Sequence, residues 1–310
     1  LFIVWFDGAN GGTGYYGGAR EERRIDRRTY YDFPGLWETV RQLQPDAVIF
    51  SDAGPDVRWI GNEAGKAPDP HWARIDPTGI YVGEAPLDRL SHGDPEGSVW
   101  RPAEADTSIR RSWFYDPAEQ PKPLSELLDI YFSSVGRGAC LNLNVPPDRR
   151  GRLPDADVIR LRELKAALDE LFRTDLARGR PVSASHVRGN DPRFAGDRVT
   201  DGRPDTYWAV DDDVRAADLT IDLGEPAHLG VIEIEEAIAL GQRVAAFAVD
   251  VRDSGRWQQI VTGQTIGARR LERVHGVRGD AVRVRITRAH HCPVIRAVRV
   301  YAAPGRAAGA

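Results

Sequence analysis

The feature that most constrains this chain is a change of pattern near residue 180. Up to about residue 173, short apolar runs alternate with helical periodicities; beyond Gly179 the apolar residues fall into short alternating stretches separated by Gly, Asp and Pro. Strand–helix–strand repetition favours a parallel sheet, because parallel neighbours are joined by crossovers. Regularly spaced short strands favour an antiparallel β-sandwich. A chain of 310 residues with two such patterns is expected to be multidomain: an α/β domain over 1–173, a linker over 174–182, a sandwich over 183–304 and a short tail over 305–310.

Within the first part, strands are expected at 1–7, 47–52, 97–101 and 139–145. A helix near 35–43 places Leu36, Val40 and Leu43 on one face, with Asp32 as its cap. A second, near 124–135, aligns Leu124, Leu127, Leu128 and Tyr131, and a third, about 155–173, carries Val158, Leu161, Leu164, Leu168 and Leu171. In the second part, strands are expected at 218–222, 230–235, 245–252, 256–261, 281–287 and 295–301.

Charge and composition narrow the partners. The 42 basic residues are nearly all Arg and are scattered among 46 acids, a net charge of −4 that marks no nucleic-acid surface. No segment approaches the ~18 consecutive apolar residues that span a membrane, and no signal peptide is visible. The two cysteines, Cys140 and Cys292, lie far apart and make neither a metal set nor an expected disulfide. There is no methionine, even at position 1, and the chain opens directly on an apolar run. Both traits lead to the expectation that it starts in mid-domain, which leaves compartment and oligomeric state unmarked.

That opening run, Leu-Phe-Ile-Val-Trp-Phe-Asp-Gly-Ala-Asn, stops abruptly at Asp7 and passes into glycines. It reads as a buried strand delivering a carboxylate to the rim of a sheet, where α/β barrels keep their catalytic groups. Glu63 closes a loop rich in Gly, Pro, Asp, Arg and Trp (54–63) that follows the strand at 47–52, and Glu104 is a third acidic position. Two carboxylates on neighbouring strand ends amid tryptophans fit glycoside hydrolysis, in which one attacks the anomeric carbon and the other protonates the leaving oxygen, the pair standing about 5–5.5 Å apart in retaining enzymes. Trp5, Trp59, Trp72, Trp100 and Trp113 offer flat faces for sugar rings, whereas Trp37 on its helix reads as core. The bland alternative is a local Asp56–Arg58 ion pair beside a solvated Glu63.

The stretches Trp-Phe-Asp-Gly-Ala-Asn (5–10), Ser-Asp-Ala-Gly-Pro-Asp-Val-Arg-Trp-Ile-Gly-Asn-Glu (51–63), Pro-Ala-Glu-Ala-Asp-Thr-Ser-Ile-Arg (102–110), Trp-Phe-Tyr (113–115) and Leu-Asn-Leu-Asn-Val-Pro-Pro-Asp (141–148) together resemble the α-L-fucosidases of glycoside hydrolase family 29, closest to the subgroup preferring α-1,3/4-linked fucose on branched oligosaccharides. The resemblance covers about residues 1–173. It implies the C-terminal part of a (β/α)8-type barrel working by retention, with Asp7 as nucleophile and Glu63 as general acid/base. It further implies that Arg58 contacts the sugar or orients the nucleophile, that Trp59 and Trp113 line the fucose pocket, and that Glu104 and Asp106 act as support, Glu104 being the rival acid. The loop over 11–31, with Arg20, Glu21, Glu22, Arg23 and Arg24, is longer than is usual in the subgroup. The early strands that supply fucose-binding histidines have no counterpart here, and about 170 residues fall short of the ~250 of a full barrel. The chain is therefore expected to be inactive by itself. The family context suggests a secreted or periplasmic parent.

Residues 183–303 resemble a discoidin-like, galactose-binding sandwich, through Val-Thr-Asp-Gly-Arg-Pro-Asp-Thr-Tyr-Trp-Ala (199–209), Leu-Thr-Ile-Asp-Leu-Gly-Glu (219–225) and Ala-Val-Arg-Val-Tyr (297–301). Many such domains hold a structural calcium in this loop, here with Asp201, Asp205 and Thr206, although the acidic residue often found near the last strand is replaced in Val-Ile-Arg-Ala-Val. The alternative is a turn whose Asp side chains cap backbone amides. No other cofactor is expected. Glu235-Glu236 followed by Leu-Gly-Gln-Arg-Val (240–244) resembles a stretch facing the cleft in branched-glycan fucosidases, which would make Glu236, with Asp191, a contact for a neighbouring galactose; solvated strand-end acids are the alternative. Two functions follow: a retaining exo-α-L-fucosidase acting on a fucosylated oligosaccharide or glycoconjugate, or a glycan-binding protein whose half-barrel only supports the sandwich.

Overall fold

The computed structural model describes residues 1–7, 26 and 28–305. The long loop expected over 11–31 lies largely outside the described residues, as does most of the tail. The chain divides into two compact units, one of Leu1–Pro68, Trp72–Thr107 and Ala139–Asn142, the other of Asp69–His71, Ser108–Gly138 and Leu143–Ala310.

The first unit is built on a five-stranded sheet. In chain order its elements are β1 (Ile3–Trp5), α1 (Phe33–Leu43), β2 (Val48–Ser51), β3 (Val57–Trp59), β4 (Arg74–Ile75), α2 (Leu87–His92), β5 (Val99–Trp100) and β6 (Ala103–Ser108), with β7 (Cys140–Asn144) completing the sheet. The strand order is β1-β2-β3-β6-β7, and the pairs β1–β2, β2–β3 and β3–β6 are parallel. Asp32 caps α1 by accepting the amide of Gly35, and Pro34 sits at the helix start, where a missing N–H costs nothing. Phe33, Ile75, Ile80, Val82 and Leu90 make one core, against which Trp37 packs as expected of a helix-borne core residue. The segment expected as the strand 97–101 contributes only β5, which pairs antiparallel with β4 in a separate two-stranded ladder. The sheet position it was to fill is taken by β6, whose six residues are all buried.

The second unit holds α3 (Leu124–Ser133), α4 (Asp155–Leu171) and a seven-stranded antiparallel sheet of β8 (Val182–Ala184), β9 (Trp208–Ala209), β10 (Ala217–Glu236), β11 (Val244–Asp253), β12 (Arg256–Gly263), β13 (Arg270–Ala289) and β14 (Val294–Ala302). The order is β12-β11-β13-β10-β14-β9, with β8 on β10. The expected strands 218–222 and 230–235 are two parts of β10, and 281–287 is the second part of β13; each runs 20 residues. Register shifts in their pairing, between Asp222 and Ala227 and again between Leu229 and Val231, let such long strands bend. The core between the sheet faces contains Trp208, Ile221, Ile232, Phe247, Val249, Val284 and Val298. Trp208 is completely buried, and its indole N–H donates to the carbonyl of His186 at 2.8 Å.

The sequence pattern reads α3 and α4 with the α/β domain; by packing, both are grouped with the compact unit that holds the sandwich. The physical reason is aromatic. Phe132 of α3 joins Val231, Leu271 and Tyr301 in one buried cluster, with Tyr131, Leu171 and Phe172 against it. Tyr301 meets Phe172 edge-on at 5.0 Å. Beneath lies a charged layer: Glu233, 1 % exposed, pairs with Arg269 at 2.8 Å and Arg299 at 3.1 Å and accepts the Tyr301 hydroxyl at 2.8 Å.

Candidate active site

In a parallel sheet the C-terminal strand ends share one edge, and side chains just beyond them converge there. The first unit does this. Trp5, Phe6, Asp7, Phe50, Asp52, Trp59, Glu63 and Asp106 line a cavity of about 170 Å³. Asp7 lies two residues past β1, Asp52 directly follows β2, Glu63 comes four residues after β3, and Asp106 stands on β6. The described lining is four carboxylates and four aromatic rings, with no cation among the described residues. Aromatic faces and carboxylates are what a polyhydroxylated ring needs: apolar CH patches stack, and hydroxyls donate.

The walls are fixed by a repeated device. Trp5 stacks on Phe50 of the adjacent strand with centroids 4.3 Å apart and planes 5° from parallel. Its indole N–H donates to Glu104 Oε1 at 2.7 Å, and the Asn142 amide donates to the same oxygen at 3.1 Å. Trp59 donates likewise to Asp106 Oδ1 at 2.6 Å. Glu104 and Asp106 are two apart on β6, hence on the same face, so one strand anchors both tryptophans. Burial pushes the Asp106 carboxyl up to about 6, against the Trp59 hydrogen bond, and nearby Glu63 and Glu104 push the same way. The Asp52 carboxyl is also raised by burial, in part offset by the amide of Gly83.

Of the residues singled out from sequence, Asp7, Trp59, Glu63 and Asp106 come together in this cavity, and Glu104 supports it from β6. Asp7 and Glu63 are both exposed. Arg58 is elsewhere. It is 0 % exposed, and its guanidinium is caged by backbone carbonyls: Nε donates to Leu90 at 2.8 Å, Nη2 to Trp72 at 2.7 Å, and Nη1 to Ala73 at 3.3 Å and to Arg101. Burial, with Arg101 adding repulsion, lowers its pKa to about 9. Its side chain is committed to the backbone, so the expected sugar or nucleophile contact gives way to a fold-stabilising one. The expected Asp56–Arg58 pair does not form either; Asp56 pairs with Arg41 at 2.5 Å.

In the second unit, Trp113 is 36 % exposed, and its carbonyl accepts from Asn144 at 2.9 Å. Glu236 is 1 % exposed, and its carboxylate accepts three amides, of Arg243 at 2.6 Å, Val244 at 3.0 Å and Gly267 at 2.7 Å. That makes it a buried clamp between loops. Asp191 caps a short turn by accepting the Arg193 amide at 2.9 Å and pairs with the Arg193 side chain. Asp201 accepts the Thr206 hydroxyl at 2.8 Å and the Arg203 amide at 2.8 Å, while Asp205 pairs with the Arg203 guanidinium at 3.1 Å. Among the described residues no group of three or more His, Cys, Asp or Glu is disposed to hold a metal. The Asp201–Thr206 loop carries the hydrogen bonds of a self-capped turn.

Asp52 was not singled out from the sequence, although the signal was there: an apolar run ending in Ser-Asp repeats the pattern that exposed Asp7.

Comparison with known proteins agrees with this geometry. Residues 79–170 match the α-L-fucosidase family model, and residues 181–298 match the F5/8 type C domain. The chain is 36 % identical over 302 residues to Alpha-L-fucosidase 1 of Arabidopsis thaliana, covering 96 % of this chain and 57 % of that protein. It is 38 % identical over 294 residues to the Putative alpha-L-fucosidase 1 of Oryza sativa subsp. japonica, covering 94 % and 54 %. Thus it spans somewhat over half the length of these curated relatives. Among solved structures, SpGH29 superposes with a TM-score of 0.88 at 41 % identity, over 98 % of this chain and 64 % of that one. A Ruminococcus gnavus GH29 fucosidase in complex with fucose superposes with a TM-score of 0.82 at 32 % identity, over 98 % and 61 %.

Proposed function

We propose, from the matches of residues 79–170 to the α-L-fucosidase family model and of residues 181–298 to the F5/8 type C domain and from the likeness to curated α-L-fucosidases, that the chain is part of a glycoside hydrolase family 29 α-L-fucosidase and supplies the catalytic pair of a retaining exo-enzyme that removes α-1,3/1,4-linked fucose from branched glycans. The observation that carries this reading is the meeting of Asp7 and Glu63 in one aromatic-walled cavity at the C-terminal edge of a parallel sheet.

In the first step the Asp7 carboxylate attacks the anomeric carbon while Glu63 gives its proton to the departing glycosidic oxygen, leaving a fucosyl ester on Asp7. In the second, Glu63 takes a proton from water, the water oxygen attacks the same carbon from the opposite face, and Asp7 is released. Trp5 and Trp59, held by Glu104 and Asp106, stack against the sugar.

The described residues form five strands of an open sheet rather than a closed ring of eight. We therefore propose that the 310-residue chain binds sugar without sustained turnover. A 2-fluorofucosyl fluoride, which stalls the second step, should label the peptide holding Asp7, and Asp7→Asn should abolish the label. Labelling elsewhere would falsify the nucleophile assignment. Sustained release of an aryl leaving group from the corresponding fucoside would remove the claim of inactivity. The F5/8 type C match favours a second reading, glycan binding alone; capture of a fucosylated oligosaccharide without any labelling of Asp7 would move it to first place.

A further inference from the structure

The double displacement leaves one acid in the cavity without a task. Asp52 lines the same space as Asp7 and Glu63. Its Oδ2 accepts the amide of Gly83 at 2.5 Å, which fixes the plane of the carboxylate. Its Oδ1 is buried and accepts no hydrogen bond among the described residues. Buried polar atoms are nearly always satisfied, and an orphan at a site marks the place of a group from outside the fold.

Among the described residues, the lining offers Asp52 no donor. The two indole N–H groups are directed to Glu104 and Asp106. Asp7 acts as an ionised acceptor, the proton of Glu63 is directed to the glycosidic oxygen, Asp106 accepts from Trp59, and Phe6 and Phe50 have no polar atom. The missing partner is a donor carried in by the ligand. Neutral O–H groups on a ring already stacked against Trp5 and Trp59 are the donors that the rest of this cavity selects.

We propose, resting on the reading that this cavity takes a fucosyl residue, that Asp52 is a positioning residue: its Oδ1 accepts a hydrogen bond from one ring hydroxyl of the sugar, and the Gly83 amide aims it. Such a bond places the ring for Asp7 without taking part in bond making or breaking. Burial, which raises the Asp52 carboxyl in the empty cavity, agrees with an acceptor completed only when the ligand arrives.

The test uses the 310-residue chain and equilibrium binding, which needs no turnover. L-Fucose and its monodeoxy analogues, each lacking one hydroxyl, are titrated by calorimetry or ligand-observed NMR into the wild type, Asp52→Asn and Asp52→Ala. Asp52→Asn keeps the shape and an acceptor for Gly83, so it guards against a folding defect. Fucose should bind either variant roughly tenfold or more weakly, the scale of a hydrogen bond to a charged group. One deoxy analogue should bind wild type and variants alike, because its missing hydroxyl is the partner. Unchanged fucose affinity in both variants overturns the inference while leaving the fucose site intact. An equal loss for every analogue also overturns it, since that is the mark of a structural role. Failure of the wild type to bind fucose at all takes down the reading of the cavity, and the role of Asp52 with it.

Discussion

The indole N–H of Trp59 points at Asp106 Oδ1 from 2.6 Å, so a wall of the aromatic cavity is held by an acid whose carboxyl burial has raised to about 6. A folded-state pKa above the unfolded value of 3.8 means that the fold holds the proton more tightly than the open chain does. This contribution is complete below about pH 3.8 and is lost as pH rises through about 6. Asp106→Asn stays neutral and can still accept from Trp59. Its stability relative to wild type should therefore climb between pH 4 and pH 7, as followed by thermal unfolding. A difference that does not vary with pH would remove Asp106 as a titrating group of this unit.

Glu236 offers a second case in the other unit. Its carboxyl is pushed up to about 7 from 4.5 by complete burial, which outweighs the three amides that favour the anion. Its contribution is present below about pH 4.5 and lost as pH rises through about 7. Glu236→Gln should flatten that slope in urea denaturation. Glu236→Ala leaves buried N–H groups of Arg243, Val244 and Gly267 without their acceptor and should cost at least ~2 kcal/mol. A neutral Glu236→Ala would mean that the loops do not depend on this clamp.

Arg58 should resist conservative exchange. A planar fork reaches carbonyls on several sides, and an ammonium on a flexible stem does not. Arg58→Lys should lose about 1–3 kcal/mol by leaving carbonyls of Leu90, Trp72 or Ala73 unpaired. The same variant should spare the stacking geometry of Trp5 and Phe50, which make no hydrogen bond to Arg58. Chemical denaturation gives the first quantity, and the tryptophan near-UV circular dichroism reports the second.

Arg110 and Asp157 form a bidentate pair, with side chains 3 % and 0 % exposed and both contacts at 2.9 Å. Arg110→Ala strands a buried carboxylate and should cost about 3–5 kcal/mol. Replacing both partners with apolar residues, Arg110→Met with Asp157→Leu, should restore much of that loss, because the pair carries a desolvation penalty. A double variant as unstable as the single one would show that the pair is worth more than its burial costs.

The sequence announced the ends of strands better than their number. Asp7 and Glu63 were legible because an apolar run that halts at an acid, or a Gly-Pro-Asp loop behind a strand, is a strong local signal. β3 was not, since Val57–Trp59 is three residues long, has Arg58 at its centre, and pairs parallel with β2 across a link of only 52–56. Parallel neighbours usually need a long crossover, so the pattern read as loop. β6 was hidden for the opposite reason: Ala-Glu-Ala-Asp-Thr-Ser is buried along its whole length, yet four of its six residues are polar, and its acids anchor tryptophans instead of facing water. The roles expected of Arg58 and Glu236 came from the family resemblance, whereas in the structure both side chains are buried and bonded to the backbone around them.

The cluster of Phe132, Phe172 and Tyr301 has a practical consequence for anyone wishing to transplant the F5/8 type C region as a module. The natural place to cut, judged by where the family match starts at residue 181, lies beyond α3, α4 and Phe172. An excised piece beginning there would bare Tyr301, Val231 and Leu271 and leave Glu233 without the helix-side cover that keeps it dry. A cut ahead of residue 108 keeps those aromatic partners in the same piece. The start of the F5/8 type C match and the start of the main segment of the compact unit are therefore offset by some seventy residues, and a fusion protein cut at the first bares apolar surface that one cut at the second keeps covered, a difference to be read as aggregation.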